Sequence, residues 1–219
     1  MQDSADDPGG KILAPPRRGR PRDPGIELRV FKAALQVYAA EGWAGFNFDA
    51  VARGAGVGKD AIYRRWPARD ALLGEALRKR WDGVGEIDEG CVRDDLLALG
   101  RMTLDIFTGT YGEVALQLRA DARRFTEVRA FVDPYRETVI HQGRNIVRKA
   151  IARGEFPSGA NPALIMDLLI GAIINHIIST PQPLRSRMLD QADRFVSDVV
   201  DIIMAGAERI SVRDGMERG

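Results

Sequence analysis

Apolar positions along this chain recur with helical spacing almost from end to end. Between residues 26 and 41, Phe31, Leu35 and Tyr38 fall at i, i+4 and i+7, with Val30, Ala34 and Val37 beside them, which predicts an amphipathic helix. Gly42 offers a stop. Asn47 predicts a cap for a short helix over 48–54, and Gly54-Ala55-Gly56-Val57-Gly58 a tight turn. A second short helix is expected over 59–66, closed by Pro67. A further helix over 70–81 carries Leu72, Leu73, Ala76 and Leu77 on its apolar side, and the Gly- and acid-rich run 82–90 reads as a connector. Helices then follow over 92–107, 113–123, 127–154, 162–179 and 184–210. They are punctuated by Gly109, Arg153-Gly154, Pro157, Pro162 and Pro181-Gln182-Pro183. No segment alternates with a period of two, and none repeats at a fixed interval. The predicted fold class is all-α: an arm over 1–24, a three-helix module over 25–81, a larger helical body over 82–210 and a tail over 211–219.

Composition adds three constraints. The first is that residues 1–24 are rich in Pro, Gly, Asp and Arg and poor in large apolar side chains. They are predicted to be disordered. Within them Arg17, Arg18, Arg20 and Arg22 sit on a stretch that prolines keep extended. Charge distribution is the second. Net charge is only +1, yet residues 11–69 hold twelve Lys/Arg against five Asp/Glu, and residues 81–219 hold 17 against 21. A basic front on a mildly acidic body suggests that the front alone meets a polyanion. Third, Cys91 is the single cysteine, which excludes an intramolecular disulfide and fits a reducing compartment. With an acidic start lacking an apolar run, this leads to an expected cytoplasmic location. The most apolar stretch, 163–178, carries Asp167, Asn175 and His176 and is expected to be buried in protein rather than lipid. Two histidines and one cysteine, with no HExxH or CxxC spacing, argue against a catalytic set, a metal site or a cofactor.

The informative segment is 48–66. With Phe48 as position one, small Ala52 stands at position five, where two helices of a helix-turn-helix touch. Gly56 stands at nine, where the turn needs positive φ, and Val57 and Ile62 stand at ten and fifteen, pointing into a small core. Such a unit presents its second helix to a major groove. Lys59, Asp60, Tyr63 and Arg64 are not needed for the core and can face outward, within reach of phosphates or base edges. Gly54-Ala55-Gly56-Val57-Gly58-Lys59 is not a phosphate loop. Arg53 and Asp60 occupy the positions where that motif needs Gly and Ser/Thr.

The run Gly56-Val57-Gly58-Lys59-Asp60-Ala61-Ile62-Tyr63-Arg64-Arg65-Trp66-Pro67-Ala68-Arg69-Asp70-Ala71-Leu72-Leu73 resembles the "AGVSKGTLYRYFPSKEELL"-like string of the TetR (tetracycline-repressor-like) family. Residues 26–73 are similar to its DNA-binding module. The resemblance implies that Tyr63 and Lys59 contact the DNA backbone, that Arg69 stands where the family has a phosphate-contacting lysine, and that Asn47 fills its hydroxyl-bearing cap position. Gly58 departs from the usual Ser, and Arg69 from Lys. The arginine arm resembles the family's "RRGRP" leader, and an extended arm of this kind can enter a narrow minor groove.

In the body, Arg153-Gly154-Glu155-Phe156-Pro157 resembles the "RGE(L/F)" turn of many family C-terminal domains. The resemblance implies a homodimer. The two last long helices would pair with their mates through Leu169, Ile173, Ile174, Ile177, Phe195, Val199 and Ile203. It also implies a mostly apolar pocket for a small lipophilic or aromatic effector, with Met102, Ile106, Phe107, Phe131, Tyr135, Asn175 and His176 as candidate lining. The expected function is a dimeric repressor of double-stranded operator DNA, released by an effector. A ligand-independent or activating regulator of the same fold would use the same module.

Overall fold

The structure is a computed structural model that describes residues 25–80 and 87–216. The arginine arm therefore lies outside the described residues, as does most of the expected connector. The described residues form ten α-helices and no strand. They are α1 (Gly25–Gly45), α2 (Phe48–Ala55), α3 (Lys59–Tyr63), α4 (Arg69–Arg80), α5 (Val92–Thr108), α6 (Gly112–Asp121), α7 (Thr126–Ala152), α8 (Pro162–Ser179), α9 (Arg185–Asp190) and α10 (Ala192–Met216).

Local chemistry accounts for most of the boundaries. Asn161 caps α8 by accepting from the backbone N–H groups of Ala163 and Leu164 at 2.9 and 3.2 Å, and Pro162 follows at the first helical position. Four boundaries differ from expectation by more than two residues. α1 runs past Gly42 to Gly45, and α3 ends at Tyr63 rather than at residue 66. The stretch 184–210 is divided, with α9 ending at Asp190 and α10 beginning at Ala192. Gln191 turns there and donates its N–H to the carbonyls of Arg187 and Met188, so the break is made by backbone geometry with no Gly or Pro to announce it. At the far end α10 continues past Ile210 to Met216.

The described residues pack around two apolar cores. The first is built from α1, α2, α3 and α4 and is completed by body residues Val114, Leu118, Ala122 and Val128. Tyr38, Trp43, Phe46, Ile62 and Leu72 lie fully buried in it. The second joins α5, the C-terminal half of α7, α8 and α10 around Leu96, Val147, Leu169, Ile173, Val196 and Val200. The small head is thus seated on the body through shared core rather than through a polar linker.

The Arg153-Gly154-Glu155 turn holds the body together at one end. Gly154 takes φ 76°, the left-handed region that ends a helix. Arg153 pairs with Glu155 and reaches Asp95 at 3.2 Å, and Asp95 is only 1% exposed. Glu155 in turn accepts from the Val92 N–H, so the end of α7 is fastened to the start of α5. The Arg153 guanidinium holds the Glu155 carboxyl below the usual carboxylate range.

Candidate nucleic-acid interface

The head is assembled for presentation of α3. Asn47 caps α2: its Oδ1 accepts from the Ala50 N–H at 2.9 Å while its Nδ2 donates to the Gly45 carbonyl at 2.8 Å. The turn then closes on Gly56, at φ 64° and ψ 37°, with the Val57 N–H bonded to the Ala52 carbonyl at 3.1 Å. That is the left-handed conformation expected of position nine. Gly58 begins α3 without any side-chain cap. Ile62 is fully buried and pins the rotation of α3 about its axis.

Four side chains emerge. Tyr63 is half exposed and stands edge-on against Phe48 of α2, with ring centroids 4.8 Å apart. Lys59 is exposed, but it is paired with Asp49 of α2 at 2.7 Å, and its ammonium lies 5.6 Å from the Tyr63 ring. The hydrogen bond to Asp49 raises the lysine above its ordinary range. Asp60 and Arg64 are exposed as well. The four residues expected to face outward do so together.

Arg69, which stands where the family has a phosphate-contacting lysine, also has partners within the head. It is half-buried, it donates from Nη1 to the carbonyls of Trp43 and Phe46 at 3.0 and 3.1 Å, and its guanidinium stacks 4.1 Å from the Trp43 ring. It bolts the start of α4 to the end of α1. An ammonium in its place would lack the flat guanidinium face that stacks on Trp43.

Sequence reasoning missed the residue that sets the head on the body. Asp121 of α6 is 4% exposed and accepts from the Tyr38 hydroxyl at 2.9 Å and from the Trp43 N–H at 2.8 Å. Burial, reinforced by this carboxylate, drives the Tyr38 hydroxyl well above the tyrosine range. No local pattern marks Asp121, because both partners lie far away in sequence. Asp49, the Lys59 partner, was equally silent.

The expected effector-site residues do not gather in one place. Met102 and Phe107 of α5 pack against the second core, while Ile106 and Tyr135 are half-buried. Burial pushes the Tyr135 hydroxyl up. The Arg119 guanidinium lies 5.9 Å from the Phe107 ring and is held below its usual value by desolvation and by Arg136. Phe131 is a correction: it packs on the head, 6.2 Å from the Trp43 ring, because the first turns of α7 lie on α1 and α4. Asn175 and His176 are also displaced. Asn175 is exposed and accepts from the Ser179 hydroxyl at 3.3 Å, and the His176 ring stacks on Phe195 at 3.9 Å between α8 and α10.

Five of the seven expected dimer residues are turned inward in the protomer. Leu169 and Ile173 are fully buried inside the protomer, and Ile174, Ile177 and Ile203 nearly so, because α8 and α10 turn these faces toward the body. Phe195 and Val199 are half-buried on the outer side. Besides Asp167 and Ser179, the exposed positions of α8 are Leu164, Leu168, Gly171, Asn175 and Ile178, spaced i, i+4, i+7, i+11 and i+14, the seam of a heptad pattern. On α10 the sequence Phe195, Val199, Ile202 and Gly206 repeats the spacing, with Ile202 72% exposed. α8 is by length and composition apolar enough to cross a membrane, but it packs on α5, α7 and α10.

A four-helix head that projects a short helix from a glycine turn, seated on a larger helical body, defines a DNA-binding regulator of the helix-turn-helix class. Residues 30–76 match the profile "Bacterial regulatory proteins, tetR family", and residues 86–199 match "Tetracyclin repressor-like, C-terminal domain". The chain belongs to the TetR family of transcriptional regulators. It is 25% identical over 206 residues to the HTH-type transcriptional regulator YdeS of Bacillus subtilis (strain 168), covering 91% of this chain and 98% of that one. It is 28% identical over 193 residues to the regulator Rv1556 of Mycobacterium tuberculosis (strain ATCC 25618 / H37Rv), covering 83% and 91%. Among solved structures, the TetR family regulator SCO0332 is similar at 25% identity and TM-score 0.53, covering 83% and 97%. FadR from Bacillus subtilis, solved in complex with stearoyl-CoA, shares the fold at 18% identity and TM-score 0.63, covering 82% and 98%.

Proposed function

We propose that this protein is a cytoplasmic, dimeric repressor that holds operator DNA through α3 and releases it when a small lipophilic or aromatic effector enters the body. The observation that carries the DNA half is the outward face of α3: Lys59, Asp60, Tyr63 and Arg64 are exposed on a helix whose rotation Ile62 fixes. One α3 reads too few base pairs for specificity, and two copies about 34–36 Å apart would meet successive turns of one groove face. The apolar seam on α8 and α10 supports pairing with a second copy, since a water-soluble protomer gains by covering Leu168, Ile178 and Ile202. Asn47 and Gly58 would lie near the backbone at the two ends of the turn, and Arg17, Arg18, Arg20 and Arg22 would follow the adjacent minor groove. Arg69 would act by bracing the head. The effector half draws support from the stearoyl-CoA held by FadR, which has this fold. Within the body, Met102, Ile106, Phe107 and Tyr135 are the residues that would meet such a molecule.

The test is binding of the full chain to duplexes taken from the DNA flanking its own gene, read by fluorescence anisotropy. Tyr63→Ala and Lys59→Ala should each weaken binding while circular dichroism stays unchanged. The Lys59 effect should shrink in an Asp49→Ala background, where no uncovered carboxylate is left facing phosphate. Full-strength binding by both single variants would remove α3 from the interface.

A further inference from the structure

The four outward residues of α3 are not equivalent, and their placement assigns them different partners. A helix turns about 100° per residue. Taking buried Ile62 as the inward direction, Lys59 and Tyr63 lie about 60° and 100° round on one flank, and half-buried Ala61 lies about 100° round on the other. The contacts agree. Lys59 meets Asp49 and Tyr63 meets Phe48, both on α2, so that flank faces the neighbouring helix and the rim of any groove that α3 enters. Asp60 and Arg64 lie within about 20° of the direction opposite Ile62. Arg64, at φ −68° and ψ −22°, continues the helical path of α3. Both are exposed, and neither side chain has a hydrogen-bond or ion-pair partner among the described residues, not even the other one turn away.

A carboxylate at the leading edge of a helix entering a phosphate-lined groove is repelled unless a donor receives it. In the major groove thymine offers an acceptor and guanine offers two, while adenine sets N7 beside its amine. Cytosine alone presents an amine with no acceptor on the same base. A guanidinium finds its matching pair of acceptors on guanine. Four residues of helix rise about 6 Å, close to two base steps.

We propose that Asp60 and Arg64 set the operator sequence. In each half-site Asp60 accepts from the N4 amine of a cytosine, and Arg64 donates to O6 and N7 of a guanine within about two base steps. Lys59 and Tyr63 hold the backbone and carry little sequence information. The inference rests on the chain binding duplex DNA through α3.

Selection from a randomised duplex pool with the full chain, followed by anisotropy on the enriched site, tests it. Wild type should enrich one cytosine and one guanine at fixed positions in each half-site. Asp60→Ala should even out base frequencies at the cytosine position alone and cost the cytosine-bearing site about tenfold in relative affinity. Asp60→Asn should move that position toward adenine, whose N6 and N7 match an amide. Arg64→Ala should relax only the guanine position. Both side chains are exposed, so unchanged circular dichroism is expected for every variant. A site whose every position survives Asp60→Ala and Arg64→Ala overturns the assignment while leaving DNA binding intact. A uniform gain in affinity for all duplexes on Asp60→Ala also overturns it, by placing the carboxylate against phosphate. Absence of any duplex binding by wild type overturns this inference and the DNA-binding reading together.

Discussion

Asp121 stands on α6 with 4% of its surface exposed, and both groups it accepts from, the Tyr38 hydroxyl and the Trp43 N–H, belong to α1. A shift of α6 would therefore be felt directly at the end of the first helix of the head. Tyr38 is fully buried beside that carboxylate, and its hydroxyl is raised well above the ordinary value of 10.0. Because the folded value lies above the unfolded one, the stabilisation is complete below about pH 10 and is lost as pH rises from there, by up to about 1.4 kcal/mol per pH unit. Tyr38→Phe should cost about 1–3 kcal/mol at pH 7, where a buried acceptor loses one donor. The gap to wild type should narrow at pH 11, since phenylalanine has no proton to release. Urea denaturation at the two pH values reads both effects, and an equal gap at both would contradict the buried bond. Residues with local partners were legible in sequence: Asn47 caps the helix it precedes, and Gly56 and Ile62 follow from spacing alone. Asp121 was not, because its hydroxyl partner is 83 positions away.

At the level of elements, two glycines shape the head in different ways. Gly56 has the left-handed geometry of a helix end, and nothing lies within 4 Å of where its Cβ would be. Gly42 interrupts α1 at φ 61° and ψ −171°, a region that essentially only glycine occupies, and a Cβ there would stand 2.7 Å from Gln117 Nε2. Gly56→Ala should therefore cost about 1 kcal/mol, and Gly42→Ala about 1–3 kcal/mol for the backbone alone, with the contact on α6 added. Thermal unfolding of the two variants should rank Gly42→Ala as the less stable, and the reverse order would mean that α1 can straighten. The helices themselves were readable from apolar spacing. The interruption inside α1 was read as a stop because a single glycine gives no sign that helix resumes beyond it. The α9–α10 break was missed because Gln191 makes it without a breaker residue.

For the whole molecule, the two cores decide which apolar residues remain for a partner. Leu168 and Ile202 are 50% and 72% exposed on the seam, whereas Ile174 is 7% exposed. Leu168→Asp with Ile202→Asp should give a folded monomer by sedimentation velocity, with an unchanged circular dichroism spectrum. Ile174→Asp should instead unfold the protomer, because it buries an unpaired charge. A dimer that survives the double substitution would place the interface elsewhere. The seam is half legible: Phe195 and Val199 fall on it as expected from sequence, whereas Ile203 and the four expected α8 positions face the body. An apolar helix that is hydrophobic nearly all round does not declare which face meets its own body.

Short-range physics lies in the order of residues, and there the chain alone determined the helices, the glycine turn, the cap and the outward set on α3. Each depends on groups within about one or two helical turns of one another. Tertiary structure decided that Arg69 braces the head, that Phe131 packs on the head, and that Leu169 and Ile173 face inward. Burial and long-range hydrogen bonding depend on which distant surfaces meet, and helical periodicity carries no record of that choice.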